Sequence, residues 1–125
     1  MANTPQRQIQ RGEIYWIAPV SPTGSLPAIA HPHVVVQDDV FNESRIETTI
    51  VCGITSNRRR ASEPGTVQLD AGEGGLGRHS VVLASQISSV RKSELGAYIG
   101  TLSEQRVNQI VAALRFVHRG FLEGR

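Results

Sequence analysis

The chain has a single cysteine, Cys52, among 125 residues. One thiol excludes an internal disulfide framework. Its neighbours, Thr49-Ile50-Val51-Cys52-Gly53-Ile54, read as a buried apolar run suited to a reducing compartment. Long hydrophobic stretches are also missing: nothing approaches the roughly 18 apolar residues of a membrane helix. Residues 1–10 are polar and lack the apolar centre of a secretory signal. These absences predict a cytoplasmic protein with no membrane partner. Charge of one sign is scarcely in excess, with 13 Lys and Arg against 11 Asp and Glu, a formal net charge of +2. That balance is compatible with nucleic acid without requiring it. Aromatics make up only 5%, and most are expected in the core. No internal repeat or second domain is visible. The length allows one domain with one core, and 39% hydrophobic against 19% charged residues is an ordinary folded balance.

What is present is concentrated in His31-Pro32-His33-Val34-Val35-Val36-Gln37-Asp38-Asp39. A valine run fits a pleated, covered surface. Pro32 drives His31 towards extended backbone by clashing with its helical conformation. Extended residues two apart share a face. His31 and His33 are therefore expected on one face with Val35 and Gln37, and Pro32, Val34 and Val36 on the other, towards the core. The strand rise sets the two imidazoles roughly 6.5 to 7 Å apart.

Taken in order, residues 1–10 read as a loose arm and 11–122 as a single domain. Residues 13–18 are aromatic and β-branched, a first strand. Residues 19–30 hold three prolines and Gly24, a loop long enough to draw a functional reading. Residues 39–44 read as a turn or one helical turn, and 48–55 as a second buried run. Ser56-Asn57-Arg58-Arg59-Arg60 opens a basic loop, and 66–69 alternates as a short strand. The glycine-dense 70–77 lacks the lysine–threonine ending of a phosphate loop, so it reads as a turn that lets the chain pass closely. Residues 80–84 and 86–90 read as two strands, and Tyr98-Ile99 as a short one. Ser103 is a good helix N-cap, with Glu104 in the first turn. Val107, Ile110, Val111, Leu114, Val117 and Phe121 form one apolar stripe, with Gly120 as the expected stop. The result is a mostly β chain with a C-terminal α-helix, a small curled sheet or barrel.

Arg11-Gly12-Glu13-Ile14-Tyr15-Trp16, Pro32-His33-Val34-Val35-Val36-Gln37-Asp38-Asp39, Ile54-Thr55-Ser56-Asn57, Ala71-Gly72-Glu73-Gly74-Gly75-Leu76, Ser80-Val81-Val82 and Gln86 together resemble the MazF/PemK/Kid toxin family. Order and spacing match from about residue 11 to 118. The resemblance implies an SH3-like barrel, a homodimer and a cognate antitoxin protein. It also implies metal-independent, sequence-preferring cleavage of single-stranded RNA that leaves a 2′,3′-cyclic phosphate and a 5′-hydroxyl, with no cofactor. The family threonine at the scissile phosphate falls on Thr55, and the opening arginine on Arg11. The family's catalytic arginine, directly before the strand proline, is replaced here by His31, and His33 stands at a usual valine.

Cleavage by the RNA's own 2′-hydroxyl needs a base, an acid and donors for the phosphorane's charge. Arginine rarely gives up its proton, whereas imidazole exchanges one near neutral pH. His31 is thus the expected acid or base, His33 its partner or a phosphate contact, and Thr55 a donor to a non-bridging oxygen. Arg58, Arg59, Arg60, Arg11, Ser56 and Gln86 are the RNA-binding candidates. Plainer readings stand beside these. The histidines can cap backbone groups or pair with Asp38 or Asp39, the arginines can be a solvated loop, and Gln86 can simply hold strands together. Two histidines make an incomplete zinc set, so no metal is expected. The lost arginine also leaves open a non-nuclease toxin on this fold, such as the gyrase-poisoning CcdB group, or a catalytically silent RNA or antitoxin binder.

Overall fold

The structure, a computed structural model, describes residues 8–18 and 29–124, the side chain of Phe121 excepted. Six strands, β1 (Glu13–Ile17), β2 (His31–Val35), β3 (Thr48–Thr55), β4 (Thr66–Leu69), β5 (Ser80–Arg91) and β6 (Tyr98–Thr101), form one curled antiparallel sheet in the order β4-β5-β3-β2-β1-β6. The helices are α1 (Asp39–Asn42), α2 (Glu104–Val117) and α3 (Arg119–Leu122). No helix among the described residues is long and apolar enough to cross a membrane. Most of the expected 19–30 loop, and residues 1–7 of the expected arm, lie outside the described residues. Within that arm Ile9 is packed, 8% exposed, against Tyr15, Ile17, Val35 and Val51.

Each face of the sheet carries a buried cluster. Ile14, Val34, Val36, Cys52, Ile54, Leu69 and Val82 form the main core with Ile110 of α2, and Val107, Ala113 and Leu114 pack against its edge. Helical spacing puts these α2 residues on one side, as the stripe required. Losing a fully buried side chain such as Ile110 (1% exposed) costs about 2–5 kcal/mol by transfer and cavity terms. Val34 and Val36 face this core as expected. Val35 belongs to the second cluster, so β2 is buried on both sides once past the histidines. Ser103 caps α2 by accepting from Arg106 N–H at 3.2 Å, and Arg106 ties that end to Glu73 at 2.9 Å.

Three expectations are corrected. Residues 80–84 and 86–90 are one strand, β5. Cys52 pairs with Ile87 and Gly53 with Leu83, so residues 84–86 bulge out and bend a continuous strand. Gly120 does not stop the helix: α2 ends at Val117, His118 is its C-cap, and α3 runs through Gly120. The basic loop is ordered into a 3₁₀ turn over Arg58–Ser62, capped by Asn57 accepting from Arg59 N–H at 3.1 Å. The glycine-dense turn behaves as read. Gly75 sits at φ 78°, and a Cβ there would collide with the Ile99 carbonyl of β6.

Candidate active site

The antiparallel pairing assembles the site at one end of the sheet. His31 lies opposite Ile17, and His33 lies between Tyr15 of β1 and Gly53 of β3. Cross-strand partners share a face, so His31, His33, Gly53 and Thr55 look out together. They line a groove of about 490 Å³ with Arg60, Gln86 and Glu94. Gly53 opens its floor: a Cβ there would stand 3.0 Å from Gln86 Oε1. The β5 bulge is what carries Gln86 to this place.

His33 is half-buried, and its Nδ1 lies 2.9 Å from the His31 carbonyl oxygen. Burial lowers its pKa below the ordinary 6.5. The hydrogen bond to His31 partly offsets this, and positive charge on His31 lowers it further. Neither histidine is occupied by the acids that end its strand. Asp38 accepts from Val40 N–H at 2.9 Å, and Asp39 accepts from Arg11 N–H at 2.7 Å and from Asn42 Nδ2 at 3.0 Å. The plainer reading of a His–Asp pair is therefore not realised. Thr55 Oγ1 accepts from Asn57 N–H at 3.1 Å, which uses a lone pair and leaves the hydroxyl hydrogen to donate outwards.

The cations divide. Arg60 reaches the groove but is held by Glu63 through two bonds of 2.7 and 3.1 Å. Arg58 and Arg59 are exposed on the neighbouring turn and line neither groove at this end of the sheet. Ser56 is exposed and lines the second groove, on the other face. Arg11 is not brought to the histidines. Its Nε donates to the Val36 carbonyl at 3.0 Å, at the far end of β2 and roughly 16 Å along the strand from His31. Reading the sequence alone missed Glu94 and Gly53 in the first groove. It also missed Arg78 and the exposure of Trp16, both in the second. The clue to Gly53 was a glycine inside a β-branched run, which marks a bulge or a close approach. Among the described residues no three His, Cys, Asp or Glu side chains are grouped to hold a metal ion.

Comparison with known proteins adds a family. The description "PemK-like, MazF-like toxin of type II toxin-antitoxin system" matches residues 10–118. A Mycobacterium tuberculosis protein named Endoribonuclease MazF6 is 38% identical over 109 residues, covering 87% of this chain and 96% of that one. Endoribonuclease EndoA of Bacillus subtilis is 33% identical over 108 residues, covering 86% and 91%. Among solved structures, an endoribonuclease in complex with its cognate antitoxin from mycobacterial species superposes with a TM-score of 0.69 at 25% identity, covering 86% and 92%. A MazE–MazF structure from Deinococcus radiodurans reaches 0.74 at 19% identity, covering 90% and 96%, a likeness of fold.

Proposed function

The chain belongs to the family of PemK-like, MazF-like toxins of type II toxin–antitoxin systems, and from that membership we propose that it is an endoribonuclease cutting single-stranded RNA by 2′-hydroxyl attack. The observation that carries the mechanism is the placement of His31 and His33 with Thr55 in one groove. A group whose burial disfavours its charged form suits the part of base. His33, held neutral, takes the 2′ proton. The 2′ oxygen bonds to phosphorus while the bond to the 5′ oxygen breaks, and His31 in its protonated form supplies the proton to that leaving oxygen. Thr55 donates to a non-bridging oxygen, where negative charge grows. The products are a 2′,3′-cyclic phosphate and a 5′-hydroxyl, with no metal in any step. Arg60 and Gln86 line the RNA path, Arg58 and Arg59 stand on the turn beside it, within reach of the flanking backbone, and Arg11 stands apart from it.

The same reading gives the chain a second copy as a dimer partner and a cognate antitoxin that restrains it. It works in the cytoplasm, where RNA is the target. The antitoxin-bound relative supports the partner, and the buried Cys52 thiol suits the compartment.

The test is to incubate the protein and its His31→Ala variant with a long single-stranded RNA in EDTA and map the new ends. Defined cuts with cyclic-phosphate ends are expected, slowed about 10²–10⁴-fold in the variant. Equal cutting by the variant would remove His31 from the mechanism. Absence of cuts from about pH 5 to about pH 9, the range in which imidazoles change charge, would overturn the nuclease reading.

A further inference from the structure

The second groove lies on the face opposite the histidine pair and encloses about 370 Å³. Trp16, Pro32 and Ile99 make its apolar floor, and Ser56 and Arg78 its polar rim. It meets the first groove at His31 and Thr55, which line both.

Trp16 is the exposed residue of β1. Its four strand neighbours are buried, while it keeps 43% of its surface in water. The backbone beneath it is fixed on both sides. Trp16 N–H donates to the Ala97 carbonyl at 3.0 Å, Gly96 N–H donates to the Trp16 carbonyl at 2.7 Å, and Pro32 stands opposite in register. Any side chain on Gly96 would put its Cβ 2.6 Å from the Trp16 carbonyl oxygen, so a glycine keeps this fixation possible. Gly77 leaves space beside the groove: a Cβ there would meet nothing within 4 Å among the described residues. Arg78 is exposed, and its guanidinium has no partner among the described residues.

An exposed indole on a fixed backbone, a proline beside it and an unneutralised arginine on the rim are what an unstacked base and its phosphate require. We propose that this groove is the nucleobase subsite next to the scissile phosphate: the base stacks on Trp16, and Arg78 neutralises the phosphate beyond it. The assignment rests on the nuclease reading, since His31 and Thr55 place the scissile phosphate where the two grooves join. RNA then crosses the end of β2 and β3, with one flanking nucleotide in each groove. The residues shared by the two grooves favour this occupant: a base here is tethered to the phosphate at His31 and Thr55, whereas an acidic peptide would satisfy Arg78 and leave them unused.

Trp16 is the chain's one tryptophan, so its fluorescence reports stacking directly and without cleavage. The full-length His31→Ala protein is titrated with a random-sequence RNA of about twelve nucleotides, within the span that single-strand sites cover, and with an abasic ribose-phosphate chain of equal length. Base-bearing RNA should quench the emission and the abasic chain should not. In the same His31→Ala background, Trp16→Ala should weaken RNA binding about 10-fold or more, with Trp16→Phe recovering most of it. Arg78→Ala should leave the quench at saturation but flatten the salt dependence by about one charge. Equal quenching by both chains, or unchanged affinity in Trp16→Ala, would overturn the subsite. So would quenching by a glutamate-rich peptide and none by RNA, which would give the groove to a protein partner. If wild type cuts RNA, His31→Ala does not and no quench appears, only the subsite fails. If wild type cuts nothing, the nuclease reading fails whatever the fluorescence does.

Discussion

His33 Nδ1 lies 2.9 Å from the carbonyl oxygen of His31, two residues back on the same strand. A carbonyl oxygen only accepts, so His33 donates from Nδ1, and its neutral ring keeps the lone pair on Nε2. One backbone contact thus fixes the tautomer of the proposed base and orients it relative to the proposed acid.

The pH profile follows from burial. His33 is held below 6.5 chiefly by desolvation. On the acidic side, cleavage should therefore fall only as pH drops below that lowered value, where His33 becomes charged. The alkaline side is set by loss of the proton that the acid must supply to the leaving oxygen. His33→Ala should cost about 10²-fold or more and erase this acidic limb, read as log kcat/KM against pH. An unchanged limb in the variant would assign it to another group. Folding stability carries the same sign. The unfolded chain binds the proton first, so the His33 contribution, full above 6.5, is lost as pH falls from there through the folded-state value.

Thr55 is a donor only through its hydroxyl hydrogen, since its oxygen already accepts from Asn57. Thr55→Val keeps shape and removes the donor. It should lower kcat about 10²-fold, the scale of one lost charge-stabilising donor, with KM little changed. Thr55→Ser should retain most of the rate. Equal rates for the two variants would place Thr55 outside the transition state.

The arginines of the 3₁₀ turn should not be equivalent. Arg60 is already neutralised by Glu63, whereas Arg58 and Arg59 are exposed. Removing Arg58 or Arg59 should weaken RNA binding across sequences and flatten the plot of log affinity against log salt by about one charge each. Removing Arg60 should do less, and Glu63→Gln should strengthen binding by freeing it. Titration at several salt concentrations decides this.

Cys52 should be inert. It is fully buried, and burial pushes its thiol up to about 12, so almost no thiolate exists at neutral pH. Thiol reagents should modify the native protein only at the rate of unfolding, and rapidly in denaturant. Fast labelling under native conditions would mean that β3 opens locally.

Asn42 is the polar centre that the fold depends on most visibly. It is 5% exposed, accepts from Thr49 Oγ1 at 2.8 Å and donates to the Gln37 carbonyl at 2.8 Å and to Asp39 at 3.0 Å. Asn42→Ala leaves the fully buried Thr49 hydroxyl without its acceptor. It should destabilise the fold by about 1–3 kcal/mol without altering chemistry at the far end of β2. A denaturant melt beside the cleavage assay separates the two effects.

Local pattern settled much of this protein in advance. The β-branched runs within 13–18, 34–36 and 48–55 read as strands, and β1, β2 and β3 form there. Ser103 and the stripe through Ile110 could only be an amphipathic helix. His31 and His33, two apart on an extended chain, had to share a face. These features follow from backbone sterics and side-chain period, which act over a few residues and are written in the order of the chain. What lay beyond them needed distant pairings. Whether β5 was one strand or two depended on a register shift against Cys52 and Gly53. Arg11, sequence-adjacent to the first strand, is held at the opposite end of β2 from His31 by the Val36 carbonyl. The Trp16 backbone is tied to Ala97, eighty-one positions on. Arg60 is claimed by Glu63 only because a 3₁₀ turn brings the two together. Residue order supplies the chemical groups, two imidazoles and a hydroxyl at strand ends. The curling of the sheet decided which of those groups meet, because strand order, bulges and turns fix distances that no spacing in the chain encodes.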